Sequence, residues 1–338
     1  MKPFRKLLYD EQLARLGQVV DTLLPRYGLS PIQRTLLQYE NNAVYCIVTS
    51  LGEQFVVRVA TTWGRSEEEQ RSEMQWLEAL RRETSLAVPE PVHNLEGDLV
   101  TTIVTEGIAP EGTMEAHPCV VFRWMLGEPP KAGLAPKLME RMGAFTAEMH
   151  RCSERFAPDA DFVRPRWDWE RLFGAPSILR DENVMTTLTS QQREVLHAAG
   201  EQIRRALSCR GKQALCLGHI HADLHSDNIL INDSAVGVID FDDCGFGYYL
   251  FDIACVLDSF QRRVFVDQAE YREGAGGATP RLRRHPPLTA RLRRLSGHFP
   301  GTPKHGNPRL HPAIEEPERA RVGAIASGPT YRSTPRSS

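Results

Sequence analysis

A chain of 338 residues with 41% hydrophobic and 25% charged residues has the make-up of an ordinary globular protein, long enough for two domains or one two-lobed unit. Its formal net charge of −2 excludes a strong global pull toward nucleic acid or an anionic membrane. It has no apolar run of the roughly 18 residues a membrane helix needs, and its start, MKPFRKLLYDEQ, lacks the apolar core of a secretory signal, so a cytoplasmic location is expected.

Residues 4–26 carry apolar positions at helical spacing, and Pro25 marks the expected end of that helix. The stretch QRTLLQYENNAVYCIVTSLGEQFVVRVAT then holds three short runs rich in Val, Thr, Tyr and Phe. Glu40-Asn41-Asn42 and Ser50-Leu51-Gly52 separate them, which predicts a small antiparallel meander. Residues 66–83 return to the helical period, and Val88-Pro89-Glu90-Pro91-Val92 reads as an extended linker. Two further strands are predicted at 98–105 and 118–125, about five in one N-terminal sheet. Helices follow at 134–152 and 190–209, then a short strand near 215–220. A strand at 229–232, a turn at Asp233-Ser234 and a strand at 236–241 form a hairpin, and YYLFDIACVLDSF begins another helix. No repeat period is visible. The expected architecture is α+β, with a β-rich N-terminal lobe (1–125) and a mostly helical C-terminal lobe (126–270).

Composition changes at residue 271. From there on, 13 Lys and Arg face 4 Asp and Glu, which leaves 28 basic and 39 acidic residues in the first 270. The segment 271–338 is crowded with Arg, Pro, Gly and Ser and poor in large apolar residues, so it cannot offset its ordering entropy and is expected to be a disordered basic tail. That tail is the one feature pointing toward nucleic acid, and weakly. The seven cysteines, at 46, 119, 152, 209, 216, 244 and 255, contain no Cys-x-x-Cys pair. They read as reduced thiols, most of them small core residues.

Chemistry concentrates in HIHADLHSDNILIN, residues 219–232. Strand alternation would put His219, His221, Asp223 and His225 on one face, a ligand set for zinc or iron in a metallohydrolase. Against it, the usual His-x-His-x-Asp-His pattern is one residue shorter, and no second ligand cluster accompanies it. The same letters contain His-x-Asp-x-x-x-x-Asn. Phosphoryl transfer needs a carboxylate for the acceptor hydroxyl, an amide oxygen for magnesium and a second carboxylate for magnesium at the phosphates. Asp223, Asn228 and Asp240 fill those roles, because the hairpin at Asp233-Ser234 returns Asp240 to the loop. His221 then orders the loop, while His219 and His225 hydrogen-bond locally.

HADLHSDNILI, GVIDFDDCGFG and FDIA together resemble the aminoglycoside phosphotransferase and choline kinase family, over residues 30 to 265 or so. Within that family, the stretch after Asp240 is similar to homoserine-kinase-like and stress-response-kinase-like members. The resemblance implies a protein-kinase-like fold, ATP and Mg2+ as cofactors, and a small-molecule hydroxyl acceptor such as an amino alcohol, homoserine or an aminoglycoside. It also implies a brace for the catalytic loop at Asp252. Arg58 stands where the family has Lys or Arg facing the α/β phosphates; the alternative is an exposed strand arginine.

On the helix 66–83, Glu73 falls in one stripe with Trp76, Leu77 and Leu80. A glutamate there is costly unless paired, and Arg58 is its natural partner; reaching solvent from the stripe edge is the alternative. Phe122 and Trp124 resemble the hinge that binds adenine through backbone groups, or form an ordinary buried strand end. His150, Trp167 and Trp169 stand as borders of an acceptor pocket or as core aromatics. The turn Tyr39-Glu40-Asn41-Asn42-Ala43 departs from glycine-rich phosphate loops, with asparagine tolerating a left-handed turn. The family's chain continues in helices where this one becomes Arg/Pro-rich, which suggests a divergent or frame-shifted C-terminus from about residue 272. A catalytically impaired nucleotide-binding protein is therefore a second alternative.

Overall fold

The computed structural model describes residue 4 and residues 7–106, 114–130, 135–208, 217–233 and 235–263. The expectations for the tail, for its C-terminal divergence and for Cys209 and Cys216 lie outside the described residues.

Helix α1 runs Tyr9–Leu23, starting later than the apolar spacing alone indicates. Its start is set by the Leu8 N–H donating to the Glu11 carboxylate at 2.8 Å, half of a capping box. Pro25 does not continue the α-helix; it opens a 3₁₀ turn, Leu24–Tyr27, that Gly28 ends at φ +66. Strands β1 (Pro31–Tyr39), β2 (Asn42–Thr49), β3 (Gln54–Ala60), β4 (Val100–Glu106) and β5 (Met114–Arg123) form one antiparallel sheet in the order β1-β2-β3-β5-β4. Helix α2 covers Glu67–Glu83, opened by Ser66 in a reciprocal capping box with Glu69.

The two-residue period of the strands explains the layering. Phe55, Val57 and Val59 of β3 and Cys119 and Val121 of β5 face α1 and its Leu16, Val20 and Leu23. The alternate residues Val56, Val120 and Phe122 face α2, where they join Trp76, Leu77 and Leu80. That second core continues into the C-terminal lobe through Met139, Met142, Leu224, Ile229, Val238, Phe241 and Phe260.

The C-terminal lobe begins with α3 (Ala135–Ser153). A two-residue strand β6 (Arg166–Trp167) and helices α4 (Trp169–Phe173), α5 (Glu182–Thr187) and α6 (Ser190–Ser208) precede strand β7 (Leu217–Ile220). Gly200 sits mid-helix in α6 because a Cβ there would meet Phe173 of α4 at 2.9 Å. Strands β8 (Ile229–Asn232) and β9 (Ala235–Val238) pair as an antiparallel hairpin. Strand β10 (Gly245–Tyr248) lies between β6 and β7, and α7 (Tyr249–Arg263) follows it directly. No helix among the described residues is long and apolar enough to cross a membrane. The five described cysteines are unpaired, and Cys119, Cys152 and Cys244 are buried.

Candidate active site

Arg58 lies on the α2-facing side of β3, in step with Val56, so strand geometry aims it at Glu73. The two form a fork, Nη1 to Oε1 at 2.9 Å and Nη2 to Oε2 at 2.6 Å. The pair accounts for a glutamate inside the apolar stripe. Arg58 Nη1 also lies 3.5 Å from Asp242 Oδ1, and its guanidinium stands 5.6 Å from the centre of the Phe122 ring. Burial works against the Arg58 charge, but Glu73 and Asp242 outweigh it and hold the guanidinium protonated.

On the far side, β7 ends at Ile220 and Ala222 takes a left-handed conformation, φ +70. Asp252 of α7 fixes that turn. Its Oδ1 accepts the Ala222 N–H at 2.8 Å, while Oδ2 accepts the His221 N–H at 3.2 Å and a 2.8 Å bond from His150 Nε2. Three donors satisfy a carboxylate that has no solvent contact. His150 is thereby a buried partner of the brace, stacked on Tyr249, and not a pocket wall. His221 accepts the Asp223 N–H at Nδ1, 3.2 Å, and donates from Nε2 to the Ile239 carbonyl, 3.1 Å. Those two bonds select one neutral tautomer, and burial lowers the pKa of the ring in keeping with it.

After Asp223 the chain makes a short 3₁₀ turn, Ser226–Asn228, with His225 at its start. Asn228 Nδ2 donates to the Asp223 carbonyl and to Asp223 Oδ2, both at 3.0 Å. His225 Nε2 lies 3.1 Å from the same Oδ2. Burial acts to raise the Asp223 carboxyl, but the hydrogen bonds from His225 and Asn228 prevail, and its pKa is lowered. The hairpin then returns as the sequence implies: Ile229 pairs with Val238, and the Ile239 N–H donates to the Asn228 carbonyl at 2.9 Å. Asp240 follows at φ 63, ψ 67, open to the cleft but ringed by protein. Desolvation, opposed by Arg58 and reinforced by Asp242, Glu73 and Asp223, pushes its carboxyl up to about 6.

The turn beyond Asp240 is held from both lobes. Arg164 donates to the carbonyls of Phe241, Asp242 and Cys244, and through Nη1 to the Glu69 carbonyl of α2 at 2.9 Å. Arg65 reaches the Asp242 carbonyl at 3.1 Å and the Asp243 carboxylate. Neither arginine stands out in the sequence, since their acceptors are backbone carbonyls or lie about 180 residues away. Asp242 is likewise a site residue that the motif alone does not single out; its Oδ1 is buried without a hydrogen-bond partner.

Several expectations need correction. His219 does not hydrogen-bond locally: both ring nitrogens are buried without partners, and the ring sits among Trp76, Phe156, Phe162 and Phe246. His221 instead packs on Phe241. The left-handed Ala222 breaks the strand alternation on which a His219/His221/Asp223/His225 metal face depends. Among the described residues no three His, Cys, Asp or Glu side chains are grouped to hold a metal ion.

His225 does hydrogen-bond locally, as expected, to the Asp227 N–H and to Asp223. The Asn41-Asn42 turn needs no left-handed residue; Thr61 pins it by donating twice to the Asn41 carbonyl, from N at 3.1 Å and Oγ1 at 2.7 Å. At the hinge, Phe122 is buried in the shared core while Trp124 is 37% exposed. The N–H groups of Arg123 and Trp124 are taken by the carbonyls of Glu90 and Gln54. Trp167 donates to the Asp243 carbonyl at 2.7 Å, whereas Trp169 lines a cavity of about 380 Å³ with Phe173, Leu179, Met185, Leu196 and His197. None of Asp223, Asn228 or Asp240 lines that cavity.

The chain is 24% identical to the amicoumacin kinase of Bacillus subtilis (strain 168) over 259 residues, covering 76% of this chain and 70% of that protein. Among solved structures, amicoumacin kinase hAmiN in complex with AMP-PNP, Ca2+ and Ami superposes with a TM-score of 0.65 at 23% identity, covering 82% of this chain and 80% of that one. A microcompartment-associated aminopropanol kinase gives a TM-score of 0.62 at 28% identity, covering 78% and 81%. The expected two-lobed, kinase-like fold holds. With the model of the phosphotransferase enzyme family matching residues 32–288, the chain belongs to that family and is a phosphotransferase.

Proposed function

We propose that this enzyme transfers the γ-phosphoryl group of ATP to a hydroxyl of a small molecule, an amino alcohol, a homoserine-like compound or an aminoglycoside-like compound, in the cytoplasm. One observation carries the reading: the Asp223–Asn228 loop, Asp240 and the Arg58–Glu73 pair converge on one cleft. Asp223 receives the acceptor hydroxyl. Its lowered pKa makes it a weak base, suited to orienting that hydroxyl and taking its proton late in the transfer. Arg58, held by Glu73, offsets charge on the α/β phosphates. Phe122 backs Arg58 from the core, and Trp124 borders the adenine at the edge of β5. The name of one relative, an aminopropanol kinase, supports an amine-bearing acceptor.

The donor set fits a hard divalent cation such as Mg2+. Asn228 spends its Nδ2 on Asp223, leaving Oδ1 as the amide's ligating atom. Asp240 carries a carboxyl pushed up to about 6 in a crowded acidic corner, where Asp242 holds a buried oxygen without a hydrogen-bond partner. Asn228 and Asp240 would hold the cation, which when bound neutralises phosphate charge. Cation sites of this kind take only one or two protein carboxylates, so no three-residue cluster is required. The family match extends through residue 288, past the expected point of C-terminal divergence, which weighs against a nucleotide-binding form impaired by its C-terminus.

A panel of amino alcohols and aminoglycosides, read by ATP consumption, tests the acceptor class. Asp223→Ala is expected to lower turnover on the responding acceptor by about 10²- to 10⁴-fold with ATP affinity retained. Near-normal turnover in that variant would remove Asp223 from the mechanism.

A further inference from the structure

We propose that His225 is a positioning residue: it holds one oxygen of Asp223 so that the other receives the acceptor hydroxyl. This rests on Asp223 being the acceptor-facing carboxylate.

The geometry starts from the turn that His225 opens. Its Nδ1 accepts the Asp227 N–H at 3.2 Å, so the ring proton resides on Nε2. That nitrogen then donates to Asp223 Oδ2 at 3.1 Å. Asn228 Nδ2 donates to the same oxygen at 3.0 Å. The two nitrogens lie 3.2 Å apart, and since both carry hydrogen they are not bonded to each other; the shared carboxylate oxygen draws them together. Among the described residues no donor reaches Oδ1. A carboxylate rotates readily about its last bond, whose torsional wells are broad. Two donors on one oxygen remove that freedom and make the oxygens unequal: Oδ2 is occupied and Oδ1 faces the acceptor.

Asn228 alone would leave Oδ2 with a single side-chain donor from a residue that also has to hold a cation. His225 supplies the second without reaching the acceptor, because its Nε2–H is committed to Asp223. The side chains of His225 and Asp223 are 35% and 41% exposed. A contact so exposed contributes little to folding. Its value is geometric, because displacing a reacting group by about 1 Å can cost on the order of 100-fold in rate.

The experiment compares His225→Ala, His225→Gln, Asp223→Ala and the Asp223→Ala/His225→Ala double variant. Turnover is read with the acceptor found in the panel, and also as slow ATP hydrolysis with water as acceptor. Affinity for MgATP and thermal melting are measured alongside. His225→Ala should lower kcat roughly 10- to 100-fold while the KM for MgATP stays within about twofold and melting is unchanged. Gln, whose Nε2–H can replace that of the imidazole, should restore most of the rate. The double variant should be no slower than Asp223→Ala alone, since a positioning residue has nothing left to position.

The proposal is overturned by unchanged kcat in His225→Ala, by a kcat loss matched by loss of MgATP affinity or melting temperature, or by full additivity in the double variant. Failure of the underlying phosphotransfer reading looks different: Asp223→Ala would then be as active as the natural chain.

Discussion

The Arg58–Glu73 pair is closed off from water, its side chains 6% and 1% exposed, whereas His225 and Asp223 meet in the open cleft with 35% and 41% of theirs exposed. Both contacts put nitrogen donors on a carboxylate, and they serve opposite ends. Taking Arg58 and Glu73 out of water is expensive, so neither tolerates loss of the other. The His225–Asp223 contact is cheap to make and to break, and what it contributes is direction. One cleft thus combines a closed, mutually dependent pair with an open, adjustable one.

The comparison breaks first at Glu73. Glu73→Ala strands a buried guanidinium and should cost about 3–5 kcal/mol in urea unfolding, with Glu73→Gln milder. A cost under about 1 kcal/mol would mean that Asp242, 3.5 Å from Arg58, takes over, and that the pair is not obligatory. Next comes Arg164→Met, which leaves several buried carbonyls around Asp240 without their donor. About 2–4 kcal/mol of stability should go, together with affinity for MgATP; unchanged nucleotide binding would separate Arg164 from the site. Ser72→Ala removes the 2.8 Å bond from the Val163 N–H to the α2 hydroxyl, and about 0.5–1.5 kcal/mol is expected from the same measurement.

The smallest effect near neutral pH, and the one most dependent on conditions, belongs to His219. Burial holds its pKa well below the ordinary value of 6.5. The unfolded chain therefore gains a proton that the folded chain refuses, and stability present above about 6.5 is lost as pH falls below it. His117 and His221, also lowered by burial, act in the same direction. His219→Phe should flatten the fall in melting temperature between about pH 7.5 and pH 5.5. An unaltered slope would show that other groups carry the acid sensitivity.

Much of this architecture is legible in the chain. Alternation in FVVRVA puts Arg58 on the side of the sheet opposite Val57, and the cost of Glu73 in an apolar stripe calls for a cation. The return of Asp240 follows from a hairpin turn. What stays hidden depends on partners remote in sequence. Ala222 is left-handed because Asp252, 30 residues on, captures its N–H, and nothing in an alanine announces that. Without this turn the histidines align as on a strand; with it, His219 goes to an aromatic box, His221 to the Ile239 carbonyl and His225 to Asp223. Arg164 is hidden for a related reason: it binds carbonyls, which every residue has. Pro25 indicated where the first helix ends, but its start depended on one side chain reaching back to Leu8.

Hydrogen bonds fasten helix α2 to the opposite lobe, among them those of Arg164 to the Glu69 carbonyl, of the Val163 N–H to Ser72, and of Gln75 to the Asp159 carboxylate. Glu73 lies among these anchors. Swinging this helix away to part Glu73 from Arg58 would require these hydrogen bonds to break together.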